Sequence, residues 1–376
     1  MPELGDRLPG QRMVVAFPRS SVLLCALLVA PIATAGGQSA QVASAQWDTA
    51  SWDTAGWETA SWDTAAWDTA GWDTASWDTA AWDTAAWDTA AWDSMSFQGL
   101  PAPWGLAAIG APAAWAKGTP THDRLVCIVD TGIDVTHPAL RANLWTGPRG
   151  EHGWNAIDGS TDVRDEVGHG TLLAGIIAAS RDSPWPGVGS PLVAVAKAIG
   201  PDGLGRTADV SAGIRWCSHI GSNVILLALS EDAPTKDFRE AVRSAQEHGA
   251  LVVAAAGNTG PCKDCVSAPA SFPRVLAVGA AGPDGQATTF TSTGKGLDLL
   301  APGERITSTV PGGYRAASGT SEAAAFAAGA AAFVWGSCTS WDADHVANVL
   351  TRGGSRGHQP PLLTLDLGKH VECEGE

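Results

Sequence analysis

The chain has 376 residues, 45% of them hydrophobic, and a formal charge of −16 at neutral pH. That length holds one large domain or two ordinary ones, and the apolar share suffices for a substantial core. The charge excludes a basic nucleic-acid-binding face, and most of it is local: residues 47–95 carry ten acidic groups and no Lys or Arg, leaving about −6 for the remainder.

The N-terminus reads as an export signal. Arg12 and Arg19 precede an apolar run at 22–30, and Ala33-Thr34-Ala35 has the small-x-small pattern that a signal peptidase accepts. Pro31 ends the run, which is shorter than the roughly 20 residues needed to cross a bilayer. Residues 1–35 are assigned to a signal peptide, so the protein is expected to be secreted or held in the cell envelope. Six cysteines follow it: Cys127, Cys217, Cys262, Cys265, Cys338 and Cys373. Cys262-Lys263-Asp264-Cys265 suits a small loop disulfide, because no second Cys or His pair stands at zinc spacing. Cys338 with Cys373 is a second candidate pair, and Cys127, inside an apolar run, reads as a buried thiol.

Residues 36–96 form a separate segment. From Trp47 to Trp92 a tryptophan recurs every five residues, ten times, in the unit Trp-Asp-Thr-Ala-(Ala/Ser/Gly). A period of five turns each ring by roughly 140° on a helix and alternates faces on a strand, so neither builds one buried seam. The segment reads as an acidic low-complexity linker. Flat rings at fixed spacing also suit weak multivalent contact with cell-wall or polysaccharide material.

Residues 97–376 are assigned to the main domain. Runs at 126–129 and 193–199 predict strands, and the continuous apolar runs at 224–229 and 251–256 predict strands covered on both faces. Helices are expected at 171–179, opening at His169, at 208–217 and at 236–247, the last with a charged solvent face. Strands alternating with helices predict an α/β domain around a largely parallel sheet, in which functional groups collect at the carboxyl ends of strands.

Three motifs carry chemistry. Asp130-Thr131-Gly132 follows a strand directly, where a carboxylate can orient an imidazole. Gly168-His169-Gly170-Thr171 opens an apolar helix. Ser318-Gly319-Thr320-Ser321-Glu322 opens an Ala-rich helix running to about Trp335, whose unpaired N–H groups and dipole favour a developing anion beside the serine. Asp, His, Ser is one of the chain orders in which the hydrolytic triad occurs. Asp130, His169 and Ser321 are therefore the candidate catalytic residues.

At these motifs the chain resembles the subtilisin-like serine peptidases. Pro103-Trp104-Gly105-Leu106, Ala111-Pro112-Ala113, His137-Pro138-Ala139-Leu140, Ala255-Ala256-Gly257-Asn258, Pro269-Ala270-Ser271-Phe272-Pro273 and Leu299-Leu300-Ala301-Pro302-Gly303 extend the likeness, from about Pro101 to Leu367. The resemblance implies a three-layer subtilisin-like fold and a secreted endopeptidase that cleaves protein or peptide substrates through an acyl-enzyme. It also implies an oxyanion-hole role for Asn258 and a substrate-binding strand ending at Ala228, Leu229 and Ser230. No cofactor is needed for that chemistry, and no metal ligands are assigned. The family's calcium is expected at most as a structural ion, and the acidic loop of Asp158, Asp162 and Asp165 reads as solvated charge.

The chain also departs from the family. Glu322, Ala325 and Phe326 replace the Met, Pro and His common after the serine, and Leu172 and Leu173 replace a common His-Val. Ser230 and Glu231 stand where the family has Gly-Gly, bringing side chains to the substrate strand. An ionised Glu322 beside the oxyanion would oppose catalysis, unless it points along the helix surface and serves the helix dipole. The alternative expectation is a catalytically weakened homologue acting as a binding or adhesive envelope protein.

Overall fold

The computed structural model describes residues 12–14, 103–118, 124–353 and 360–365. The assigned signal peptide, apart from 12–14, and the whole tryptophan repeat lie outside the described residues. Arg12–Val14 forms a short strand, β1, antiparallel to β5 (Leu204–Arg206).

Apolar runs without a polar face become the central sheet. It contains β2 (Leu125–Asp130), β3 (Gly153–Asn155), β4 (Leu192–Lys197), β6 (Val224–Leu227), β7 (Leu251–Ala255), β8 (Leu276–Ala281) and β9 (Leu299–Pro302). Their order is β3-β4-β2-β6-β7-β8-β9, and every pairing is parallel. Strands buried on both faces need cover from two layers of helices. Here α4 (Thr207–His219) and α5 (Lys236–Glu247) cover one face, packing on Cys127, Val129, Ile225, Leu227, Val252 and Ala254. On the other face lie α3 (His169–Ala178) and α6 (Thr320–Ser337), the latter against β6, β7, β8 and β9. The expected three-layer α/β architecture is what the chain forms.

Local chemistry sets the helix ends. Thr235 accepts a hydrogen bond from the Phe238 N–H and starts α5, whose Phe238, Ala241, Val242 and Ala245 face the sheet. By contrast, α6 is buried on all sides. Its small residues permit close packing: the position of a Cβ on Gly329 would stand 3.3 Å from the Ile177 backbone of α3. The hairpin of β10 (Ile306–Val310) and β11 (Gly313–Ala317) crosses α3, where Ser308 and Thr309 donate to the carbonyls of Leu172 and Thr171. Two short helices, α1 (Trp104–Ala108) and α2 (Ala111–Ala116), precede the sheet, and α7 (Ala343–Gly353) packs on α6.

One cysteine expectation is corrected. Cys127 is not a buried thiol but is disulfide-bonded to Cys217, which ties β2 to α4 across 90 residues of sequence. The parallel crossover brings their Cα atoms to 5.7 Å, within bridging range. Cys262 and Cys265 form the expected loop disulfide, and Cys338 is disulfide-bonded as well. Among the described residues no helix is long and apolar enough to cross a membrane.

Candidate active site

The sheet order reverses direction at β2: β4 and β3 extend to one side, and β6 to β9 to the other. Parallel sheets open a crevice at the carboxyl ends of the strands on either side of such a reversal. The expected residues converge there. Asp130 ends β2, Ala228 follows β6, and Asn258 follows β7 through Gly257.

Asp130 is fully buried, and its Oδ1 accepts the Thr131 N–H at 2.7 Å. Its two carboxylate oxygens lie 2.8 and 2.9 Å from Nδ1 of His169. Burial lowers the pKa of His169, but the charge and hydrogen bond of Asp130, with the charges of Glu322 and Asp165, outweigh it. The imidazole is held above its ordinary value.

His169 is placed by a network that the sequence reading missed. Gly168, at φ 96°, turns the chain into α3. A side chain at Gly170 would overlap the carbonyl oxygen of Gly132, so paired glycines let α3 close on the loop after Asp130. Asp165, expected as solvated charge, is instead buried. Its Oδ1 accepts from Thr131 Oγ1, Val167 N and Gly168 N, and its Oδ2 from Thr171 N and Oγ1. Thr131 Oγ1 in turn accepts the Gly170 N–H, so one carboxylate locks both motifs together. The physical reason for the correction is that the orphan N–H groups opening α3 need an acceptor, and Gly168 has no side chain to supply one. Asp158 and Asp162 remain exposed, as expected, with Asp162 engaged by Arg164.

This loop does not fit a calcium ion. Asp165 is saturated by protein donors and Asp162 is held by a guanidinium, whereas calcium takes six to eight oxygens. Among the described residues, no group of three or more Asp, Glu, His or Cys could hold a metal.

Asp165→Ala is expected to lower unfolding free energy by on the order of 3 kcal/mol, since buried donors lose a charged acceptor. Calorimetric melting checks this. A change within experimental error would show that the carboxylate does not organise the motif.

Ser321 is the second residue of α6, and its Oγ donates to the Ala228 carbonyl at 3.5 Å. Asn258 Oδ1 accepts from both the N–H and the Oγ1 of Thr320, each at 2.9 Å. Two donors on one atom fix it as the oxygen, which turns the amide nitrogen toward Gly319. A Cβ at Gly319 would stand 3.4 Å from Asn258 Nδ2 and 3.7 Å from the Ser321 nitrogen, so two donors face one small space.

The substrate-strand segment differs from expectation in its side chains. Ala228 and Leu229 are fully buried, Leu229 within the core cluster, so this segment offers backbone groups. Ser230 is half-buried. Glu231 does not crowd the cleft: its carboxylate accepts from Thr207 Oγ1 at 2.9 Å and from Ala233 N at 3.2 Å. A buried carboxylate needs such donors, and α4 provides the first of them.

Glu322 also departs from its surface reading. It is 4% exposed, because α6 has no solvent face at that turn. Burial raises its carboxyl above the ordinary range, against the opposing charges of His169 and Arg315. Arg315 on β11 is itself buried, and desolvation pushes it down to about 10 despite Glu322 and Asp165.

A family model described as the subtilase family matches residues 121–360. Subtilisin BL of Lederbergia lenta is 38% identical over 261 residues, covering 67% of this chain and 93% of that protein. An alkaline protease of Alkalihalobacillus alcalophilus is also 38% identical over 261 residues, covering 67% of this chain and 66% of that one. A crystal structure of a cold adapted subtilisin-like serine proteinase superposes with a TM-score of 0.58 at 26% identity, covering 65% of this chain and 90% of that chain.

Proposed function

Because the chain belongs to the subtilase family, we propose that it is a secreted serine endopeptidase acting through an acyl-enzyme. The observation that carries this reading is the buried Asp130–His169 pair, with contacts of 2.8 and 2.9 Å, at the crevice that also receives Ser321. A carboxylate on Nδ1 fixes the tautomer in which Nε2 is the free base.

In the proposed reaction Ser321 Oγ attacks the scissile carbonyl and His169 Nε2 takes its proton. Asp130 stabilises the imidazolium that forms. Asn258 Nδ2 and the Ser321 N–H donate to the oxyanion. His169 then returns the proton to the leaving amine, leaving the acyl group on Ser321, and water deacylates it by the same proton path. No cofactor enters. An extended substrate adds to the backbone at Ala228, Leu229 and Ser230, where the buried side chains of Ala228 and Leu229 leave main-chain groups to pair. Secretion is supported by the Ala33-Thr34-Ala35 pattern and by disulfides at Cys127–Cys217 and Cys262–Cys265, which persist in oxidising compartments.

The test is covalent labelling of the purified, folded protein with a serine-directed fluorophosphonate, mapped by peptide mass, alongside hydrolysis of a denatured protein. Labelling at Ser321 is expected. Folded protein that neither labels nor hydrolyses would instead be the weakened, binding homologue. Asn258→Ala is expected to lower kcat by about 10²–10³-fold with a smaller change in KM, since its donor acts on charge that develops in the transition state. An unchanged kcat would remove Asn258 from the oxyanion site.

A further inference from the structure

The ladder of β6 ends at Leu227, which pairs with Ala254 of β7. Ala228, Leu229 and Ser230 follow, and Glu231 then makes an antiparallel bridge to Ala268. The intervening segment hangs between these two anchors, with backbone groups left for an extended substrate. Ser321 Oγ meets the Ala228 carbonyl near the first anchor. Glu231 lies three residues further along the chain, a distance of roughly 10 Å for extended backbone.

Hydrogen bonds hold Glu231 on two sides. Its N–H donates to the Ala268 carbonyl at 2.9 Å. Its Oε2 accepts from Thr207 Oγ1 at 2.9 Å, and its Oε1 from Ala233 N at 3.2 Å. Thr207 opens α4 directly after β5, and its carbonyl accepts from Ser211 Oγ at 2.7 Å. Ala268 follows Ser267, whose N–H donates to the carbonyl of Ala256, two residues before Asn258. One residue therefore joins the start of α4 to the stretch that packs on the approach to Asn258. Glu231 is 6% exposed and Thr207 4%, so water competes little for the bond between them.

We propose that Glu231 is a positioning residue for extended substrates: its carboxylate, fixed to Thr207, holds the far end of the Ala228–Ser230 backbone ready for a peptide strand. The inference rests on the peptidase reading above, and it concerns the remote part of the substrate, not the reacting bond. A glycine, which the family has at this place, offers no side chain for such a bond. A segment tethered at one end only presents its N–H and C=O groups in many directions, and a peptide must order it on binding. Glu231 supplies that order beforehand. Its effect grows with peptide length, because only a substrate reaching about three residues from the scissile bond pairs with the far part of the segment.

The test compares an internally quenched decapeptide, cut near its centre, with N-acetyl-alanine anilide. Glu231→Ala and Thr207→Val, which break the contact from opposite ends, are each expected to lower the decapeptide-to-anilide ratio of kcat/KM about tenfold, with the loss in KM. A merely structural defect lowers both substrates alike and leaves the ratio in place. E231Q is expected to stay within about threefold of the parental ratio, since its amide oxygen accepts from Ala233 N while its NH₂ donates to the Thr207 hydroxyl. The E231A/T207V double variant should lose no more than either single one, because both remove one contact. In a Ser321→Ala protein, T207V is expected to weaken calorimetric binding of the uncleaved decapeptide about tenfold. A ratio or a Kd within about twofold of the parent overturns the proposal, as does an E231Q as impaired as E231A. Should E231A fail to fold, T207V and E231Q decide. Should the parent neither label with fluorophosphonate nor hydrolyse, the Kd alone decides: a tenfold rise keeps Glu231 in its role while the peptidase reading falls.

Discussion

Ser321→Ala is expected to lower kcat on a peptide substrate by about 10⁶-fold, the scale established for loss of the nucleophile in subtilisin itself. The argument is local. Ser321 Oγ is the hydroxyl at the opening of α6 on the crevice, and its hydrogen bond to the Ala228 carbonyl, at 3.5 Å, is weak enough to lose without structural cost. Alanine is also a better helix former than serine and fits an Ala-rich helix buried on all sides. The variant should therefore melt where the parent does, so that lost activity is lost chemistry. Asn258 and the backbone N–H at position 321 survive, and a residual catalysis of about 10³–10⁴ over water is expected from them. Initial rates on a peptide anilide, with melting temperature beside them, check both halves. A variant retaining a tenth of parental activity would displace Ser321 from the mechanism.

The motifs around Asp130, His169 and Ser321 could be read because each sits at a strand end or helix start, where local pattern and position coincide. The same holds for α5: its charged solvent face suits a helix at 236–247, and the helix is Lys236–Glu247. What stayed hidden depends on partners distant in sequence. Cys127 looked like a core thiol because its run is apolar, and only the packing of α4 on β2 brings Cys217 to it. Asp165 looked solvated because its neighbours are charged, while its five donors come from the turn it closes, from Thr171 in α3 and from Thr131 just after β2. A signal was present there: a glycine N-cap before His169 leaves N–H groups without an acceptor, and Asp165, three residues before that glycine, is placed to supply one.

Glu322 was legible in part. Every residue from Ala323 to Trp335 is apolar, and a helix apolar all round is a buried helix. A lone carboxylate in its first turn must then be buried too, which argues against the helix-surface reading. Its approach to Asn258 could not be read, because Asn258 follows β7 and meets the start of α6 only when the helix packs on the sheet.

Asp130→Asn is the second large expectation, a loss of about 10⁴-fold in kcat at neutral pH. The substitution preserves shape but reverses a hydrogen bond. Asp130 Oδ1 accepts from Thr131 N at 2.7 Å, a bond that an asparagine oxygen retains. The asparagine NH₂ then takes the place of Oδ2, 2.9 Å from His169 Nδ1, and donates to it, which favours the tautomer with the ring proton on Nε2. Nε2 is the nitrogen that would take the Ser321 proton, and in that tautomer it has no lone pair to do so. The imidazolium loses its strongest support at the same time, since burial, which opposes it, remains while the Asp130 charge is gone. Wrong tautomer and weaker base act in the same direction, and neither alters the α3 network built on Asp165. Substrate affinity should hold, with the loss falling on kcat. Nitrogen-15 shifts of His169 in an Asp130→Asn, Ser321→Ala protein report the tautomer directly. A ring still protonated at Nδ1, or a kcat within tenfold of the parent, would show that Asp130 does not set the state of His169.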